Sequence, residues 1–328
     1  MGAMSWLIAD IGGTHARFAQ YDHQQAAPTA LATLATADFN DLESAIEHYV
    51  ALHQVATADR VLLALPCPVE RDPIVLTNAG WRIQRQKTCE RLALQQLEVV
   101  NDFYAQAVAL PFLQAADLLA LDAATPAAPP ASGNRVVLGP GTGLGVAAMV
   151  EENGRTMPVT GEGGHVTLAA VNDYEDDILR LARKRLGHVS AEKLISGIGL
   201  SELEQCMALV EGDDSHRRRD TRAIVQAARA HEPRALATVT QMLAFLATVA
   251  ADLALNFGAF GGVYFSGGIL PRVREVVDWS LFHQRFVDKG RFQSYLEHMP
   301  KYLVTHQQPG LLGLAGMIRN AEQNQKSL

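Results

Sequence analysis

An α/β fold in two related domains is what this sequence predicts, on three observations. Short apolar runs of strand character alternate with helix-length amphipathic stretches. A strand that ends in a glycine turn carrying a threonine, and then returns as a second strand, occurs twice, over residues 7–18 and 135–150. Between the copies lies an Ala- and Pro-rich stretch, residues 115–133, with Pro126, Pro129 and Pro130 close together. It reads as the crossing from a small domain to a larger one, with the boundary near Pro111.

Taken in order, residues 7–11 are a buried apolar run ending in an acid, and 17–21 return as its hairpin partner across Gly12-Gly13. Residues 24–36 give a turn and a further strand, and the apolar spacing over 41–53 predicts an amphipathic helix. Val61-Leu62-Leu63-Ala64-Leu65 is a buried strand stopped by Pro66-Cys67-Pro68. A strand over 74–78 leads to Asn78-Ala79-Gly80-Trp81, which reads equally as a wall of a ligand pocket or as a turn with a buried tryptophan. A helix over 86–94, a strand over 97–100 and a helix opening at Asp102 follow. In the larger domain the strands 135–138 and 146–150 flank the second glycine turn. Helices are expected at 174–186, 200–210, 222–230 and 235–257, the last apolar on most sides as burial against a sheet requires. Gly261-Gly262-Val263-Tyr264-Phe265-Ser266-Gly267-Gly268-Ile269 is again a strand ending in paired glycines, and 309–320 a final helix.

With 328 residues, 48% hydrophobic and 19% charged, the chain has the composition of a soluble globular protein with room for two cores. No apolar run is expected to reach membrane-span length and no basic, hydrophobic leader precedes Leu7, so the expectation is cytoplasmic, with no membrane partner. Met1-Gly2-Ala3-Met4 holds two candidate start methionines and is set aside as partly a cloning remnant. Cys67, Cys89 and Cys206 are too few and scattered for a disulfide framework or a cysteine-rich zinc site. The net charge of −7, from 35 acids and 28 bases, gives no reason to expect nucleic acid. Arg217-Arg218-Arg219 stands between acids and reads as a solvated loop.

The glycine turns suit phosphate. In the first, N–H groups at Gly12 and Gly13 can cradle oxygens while Asp10, at the tip of a central strand, holds a cation. The second, Gly139-Pro140-Gly141-Thr142-Gly143-Leu144-Gly145, is not a Walker loop, because no Gly-Lys-Ser/Thr follows. Nor is it a dinucleotide fingerprint, because a strand rather than a helix comes next. Two such clamps imply two domains facing each other across a nucleotide, and the third glycine pair, Gly267-Gly268, is where a flat adenine can lie against backbone.

Three such turns in this order resemble the superfamily of sugar kinases, Hsp70 chaperones and actin. With Val100-Asn101-Asp102-Phe103 between the first two and Gly161-Glu162-Gly163-Gly164-His165-Val166 after the second, the chain resembles the bacterial glucokinases of the hexokinase-like family, from Leu7 to Pro309-Gly310-Leu311-Leu312-Gly313. The resemblance implies the actin-like ATPase fold, two ribonuclease-H-like α/β domains separated by a cleft. The small domain would be residues 1–111 plus 309–328, with the final helix packing back on it, and the large one 112–308. The implied reaction is ATP-dependent phosphorylation of glucose at its 6-hydroxyl, giving glucose 6-phosphate and ADP as glucose is admitted to glycolysis. A homodimer is implied as well.

Phosphoryl transfer needs an oriented nucleophile, an acceptor for its proton, and cations and dipoles to offset charge. Asp102 follows a strand and opens a helix, so it is either a helix cap or a general base; combined with the clamps and the Glu-Gly-Gly-His turn, the base is favoured. A sugar must be held by matching donors and acceptors. Asn101 supplies both, and Glu162 can accept from two neighbouring hydroxyls. The resemblance adds His165 to the sugar and Glu192 to its anomeric end; from pattern alone Glu192 is only a first-turn helix acid. It implies Asp10 holding Mg²⁺ through water, and Ala9, Ile11, Gly12, Gly13 and Thr14 about the β and γ phosphates. Gly139, Gly141, Thr142 and Gly143 would clamp from the other domain, with closure excluding water. No lysine stands near either clamp, and Arg17 is expected to point along the hairpin surface.

Two other readings are kept. One is a kinase of the same fold for another hexose, such as mannose or fructose. The other is a sugar-binding regulator without turnover, disfavoured by Asp102 and by the six residues before Leu7, too few for a helix-turn-helix. A chaperone or filament would need the nucleotide turns but not Asn101, Asp102, Glu162 and His165.

Overall fold

The computed structural model describes residues 5–326 apart from 23, 26, 55–57 and 77. Met1-Gly2-Ala3-Met4, set aside above, lies outside the described residues. Two units emerge, one running to Leu113 and resuming at His306, the other comprising Gln114–Thr305.

In the first unit Trp6–Ile11 (β1) turns at Gly12-Gly13 into His15–Tyr21 (β2), and Thr29–Ala35 (β3) extends the hairpin. Leu42–His53 (α1) starts at Asp41, whose side chain accepts from the Ser44 N–H at 2.7 Å. Arg60–Leu65 (β4), the short hairpin Ile74–Leu76 (β5) and Trp81–Ile83 (β6), Arg85–Leu92 (α2), Gln96–Asn101 (β7) and Asp102–Ala109 (α3) follow. The five-stranded sheet has the order β3-β2-β1-β4-β7, with β1, β4 and β7 parallel and the two hairpin strands antiparallel. Both faces are covered. Leu7, Ala9 and Ile11 pack with Phe18, Ile46 and Tyr49, whereas Trp6 and Ile8 pack with Tyr21, Leu62, Ala105 and Leu311 and Leu314 of the C-terminal helix Pro309–Lys326. Two-sided burial is why β1 reads as a continuous apolar run rather than an alternating one. The parallel register pairs Asp10 with Ala64 and Ala64 with Val100, so Asp10 and Asn101-Asp102 leave the same end of the sheet. They stand two strand spacings apart, roughly 10 Å.

The second unit repeats this arrangement. Leu118–Ala120 (β8) is followed by Arg135–Pro140 (β9), Leu144–Glu152 (β10) and Arg155–Thr160 (β11), then by helices Asp173–Leu186 (α4), Gly197–Val210 (α5), Thr221–Arg229 (α6) and Pro233–Phe257 (α7). Gly262–Phe265 (β12), Leu270–Val273 (α8), Trp279–Val287 (α9), Gln293–Glu297 (α10) and Lys301–Val304 (β13) complete it. The sheet order is β11-β10-β9-β12-β13-β8. Again an antiparallel hairpin of three strands joins parallel strands at the first of them, β9 with β12 and β12 with β13.

Four expectations need correction. The crossing segment 115–133 contains β8, which pairs with β13 at the sheet edge. β11 and β13 carry no strand signal in the sequence, since Pro158 interrupts the first and the second opens on a lysine. Arg217-Arg218-Arg219 is not simply a solvated loop: Arg219 pairs with the fully buried Glu204 and with Glu232 (3.0 Å), and Arg218 lies 3.8 Å from the buried Glu202. Two carboxylates inside α5 need counter-charges, and this segment supplies them. Finally, α7 is long and apolar enough to cross a membrane, with mean hydropathy 1.6 over an 18-residue window, of which 61% is buried within the protein. Val239, Met242, Phe245 and Leu246 of this helix lie in the core of the second unit.

Candidate functional site

In the first unit, Ala9 and Ile11 are fully buried in side chain, so only their backbone can face a ligand. The turn beyond them is held from outside. Gly12 N–H donates to His15 O (2.9 Å), while Thr36, which the sequence does not single out, donates its hydroxyl to Gly13 O (2.9 Å) and its N–H to Thr14 O (3.1 Å). Asp10 keeps about a fifth of its side chain accessible (20%), and a Cβ at Gly310 would stand 2.7 Å from its Oδ2. The carboxylate therefore lies against the first turn of the C-terminal helix, a favourable place for negative charge. Burial pushes its pKa up and Arg17 opposes the shift. Arg17 does not run along the hairpin surface: the register sets it opposite Asp10, with its guanidinium 3.6 Å from Oδ2.

Asn101 caps α3, its Oδ1 accepting from the Phe103 (2.9 Å) and Tyr104 (3.3 Å) N–H groups. Its acceptor is thereby committed to the helix, which leaves the amide NH₂ as the group for a ligand. Asp102 opens the helix and its Oδ1 shares the Phe103 N–H at 2.9 Å. The cap is thus Asn101, and capping does not account for Asp102.

Trp81 is no pocket wall. It is 1% exposed in the core with Ile46 and Tyr49, and its Nε1 donates to Phe39 O at 3.1 Å. Asn78 lies in the turn before it, with its Cβ against Gly13. Trp81→Phe is expected to destabilise the protein by about 1–3 kcal/mol, through the lost indole volume and an orphaned carbonyl, while leaving the KM for sugar unchanged. Urea denaturation together with steady-state kinetics checks both halves of that expectation.

In the second unit, β9 runs into Gly141-Thr142-Gly143, closed by Gly141 N–H donating to Gly143 O (2.8 Å). β9 and β12 are parallel neighbours, so both glycine turns leave the same end of the sheet, and they touch: a Cβ at Gly139 would stand 2.6 Å from Ser266 O. Gly267 has φ +90°, a conformation that suits glycine, and packs on Pro140 O. Glu162 and His165 flank a single tight turn, with His165 N–H donating to Glu162 O (2.9 Å). His165 Nε2 lies 3.8 Å from Glu162 Oε2 and 4.0 Å from Glu192 Oε1. Glu162 and His165 are exposed, at 65% and 57% of their side chains, and Glu192 is less so at 32%. Two carboxylates around one imidazole offer acceptors and a donor to a ligand rich in hydroxyls.

The residues that the sequence leaves without a role, and Arg17, which it places on the hairpin surface, share a cause. Thr36, Arg17, Ser266 and Gly310 act through register or close approach, and only the Asp10–Arg17 pairing had a local signal, the tight hairpin that sets the two opposite each other.

A sequence model of the Glucokinase family matches residues 7–321. The glucokinase of Ralstonia nicotianae is 40% identical over 332 residues, covering 96% of this chain and 95% of that protein. Among solved structures, glucokinase from an Antarctic psychrotroph superposes with a TM-score of 0.83 at 35% identity, covering 97% of this chain and 99% of that one. A ROK family glucokinase from Streptomyces griseus, in complex with glucose and AMPPNP, has a TM-score of 0.61 at 18% identity over 95% of this chain and 98% of that one, and so shares the fold. Matched by that model and by these relatives over nearly its whole length, the chain belongs to the glucokinase family, the enzymes of ATP-dependent glucose phosphorylation.

Proposed function

We propose that this enzyme transfers the γ-phosphoryl group of ATP to the 6-hydroxyl of glucose, with Asp102 accepting the hydroxyl proton, and that the two units are the ribonuclease-H-like domains of the fold. The observation that carries the reading is the Glu162–His165–Glu192 cluster, with distances of 3.8 and 4.0 Å about one imidazole. Such a cluster suits a polyol, because a ligand lacking the hydroxyls would leave the acceptors unpaired. Asn101 would offer its amide to a sugar hydroxyl. Gly12, Gly13 and Thr14, and Gly139, Gly141, Thr142 and Gly143, would bind phosphate oxygens through backbone N–H groups, and Gly267-Gly268 would receive the adenine.

Mg²⁺ fits Asp10 in the chemistry of its donor: the carboxylate is partly accessible and stands at the end of β1 beside the Gly12-Gly13 turn. Asp10 would hold the ion through water, and the ion would offset charge on the β and γ phosphates. Arg17, 3.6 Å from that carboxylate, brings a further positive charge to the same end of the sheet.

The test is coupled-assay ADP production with glucose, mannose, fructose and N-acetylmannosamine. Glucose is expected to give the highest kcat/KM. Preference for another hexose would move the assignment to that sugar, and glucose binding without ADP would overturn the kinase in favour of a sensor.

A further inference from the structure

The glycine turn of the second unit is held by the segment that carries one of the proposed sugar ligands. Glu192 Oε2 accepts from the Leu144 N–H at 2.9 Å, and Leu144 is the first residue after Gly141-Thr142-Gly143. The same oxygen lies against Gly143, where a Cβ would collide with it. At the other end, Gly141 O accepts from the Gly197 N–H (2.8 Å) at the start of α5, five residues beyond Glu192. The second oxygen of Glu192 points elsewhere, to within 4.0 Å of His165 Nε2. One carboxylate therefore has an oxygen on the backbone of the turn and an oxygen beside the sugar-facing imidazole.

We propose that Glu192 is a positioning residue that couples the two substrates. This rests on the reading of Glu192 as a sugar ligand. A sugar hydroxyl on Oε1 fixes the carboxylate in the orientation in which Oε2 holds Leu144 N–H, and with it the turn that binds phosphate. Of the bonds that hold this turn, the one from Leu144 N–H to Oε2 is the one a sugar hydroxyl on Oε1 can fix, and fixing it in advance removes an ordering cost from nucleotide binding. Because such coupling is reciprocal, nucleotide must tighten sugar by the factor with which sugar tightens nucleotide.

Isothermal titration measures that factor directly, with Mg²⁺·AMPPNP titrated with and without glucose and glucose titrated with and without Mg²⁺·AMPPNP. In the wild type both ratios are expected to agree at roughly fivefold or more. Glu192→Asp, one methylene too short to reach both partners, is expected to bring the ratio to about 1. Gly143→Ala, which displaces Oε2 without altering its chemistry, is expected to weaken glucose although Gly143 belongs to the phosphate turn. A merely structural role would lower affinities and leave the ratio alone. A wild-type ratio of 1, or a ratio that persists in both variants while glucose weakens, overturns the coupling only. If Glu192→Asp changes neither glucose affinity nor the ratio, the reading of Glu192 as a sugar ligand falls with it.

Discussion

Asp102→Asn is expected to lower kcat on glucose by roughly 10²- to 10⁴-fold, the contribution of a positioned general base, while glucose affinity stays within a few-fold of wild type. The substitution is isosteric, and the amide oxygen can keep the contact that Asp102 Oδ1 makes with the Phe103 N–H at 2.9 Å. What it removes is the capacity to accept a full proton. Helix α3 does not depend on it, because Asn101 provides the cap with bonds of 2.9 and 3.3 Å. Asn101→Ala therefore makes the contrast. It is expected to cost about 1 kcal/mol of stability through the lost cap and to raise the KM for glucose, with a much smaller effect on kcat. Steady-state kinetics with glucose titrations by calorimetry separate the two. An Asp102→Asn enzyme with wild-type kcat would return Asp102 to the role of a helix-opening residue.

The parts of the fold legible in the sequence are those whose signal is local. The strand from Trp6 to Ile11 is apolar except for Asp10 near its end and runs into paired glycines, and β9 is another apolar run into a glycine turn, so both hairpins and their turns can be read from composition and spacing. Glu162 and His165 are three residues apart and need only one tight turn to meet. Glu192 carries no such signal. Its partner, the Leu144 N–H, lies 48 residues away, and only resemblance to the family marks the position. Arg17 is set opposite Asp10 by strand register, and Trp81, which reads equally as a pocket wall or a buried residue, is decided by which face of a two-stranded hairpin is buried. The hardest cases are charged residues that fold inward. Arg219 is paired with Glu204 and Glu232, and Lys301 opens β13, one strand in from the sheet edge; in each case the partner that makes burial tolerable is distant in sequence.

Lys301→Met is expected to destabilise the protein by about 3–5 kcal/mol, because it strands a carboxylate rather than because it removes a contact. Lys301 is 1% exposed; its Nζ lies 3.0 Å from Asp122 Oδ2, donates to Met299 O at 2.8 Å and stands 4.9 Å from the Phe286 ring centre. His283 Nδ1 is also 3.0 Å from Asp122 Oδ2, and Thr125 donates its hydroxyl (2.9 Å) and N–H (2.8 Å) to Oδ1. Burial alone would push the Asp122 carboxyl up, but the hydrogen bond and charge of Lys301, with Thr125 and His283, outweigh it and hold the carboxyl below its usual range. Burial in turn pulls Lys301 down against the opposing pull of Asp122. The pH dependence follows from these signs. A carboxyl depressed in the folded state contributes stability above its unfolded pKa of about 3.9 and loses that contribution as the pH falls through the folded value. In Lys301→Met, Asp122 keeps Thr125 and His283 but loses the charge and hydrogen bond of Lys301, and so protonates at a higher pH than in the wild type. The stability gap from wild type is therefore largest near neutrality and narrows as the pH falls toward about 4. Asp122→Asn combined with Lys301→Met is expected to recover much of the loss, since neutral, well-packed replacements of a buried pair are often tolerated. Urea denaturation followed by tryptophan fluorescence at neutral and acid pH measures each of these, and a gap that widens on acidification, or a double variant as unstable as the single, would show that the pair does not carry the stability of this strand.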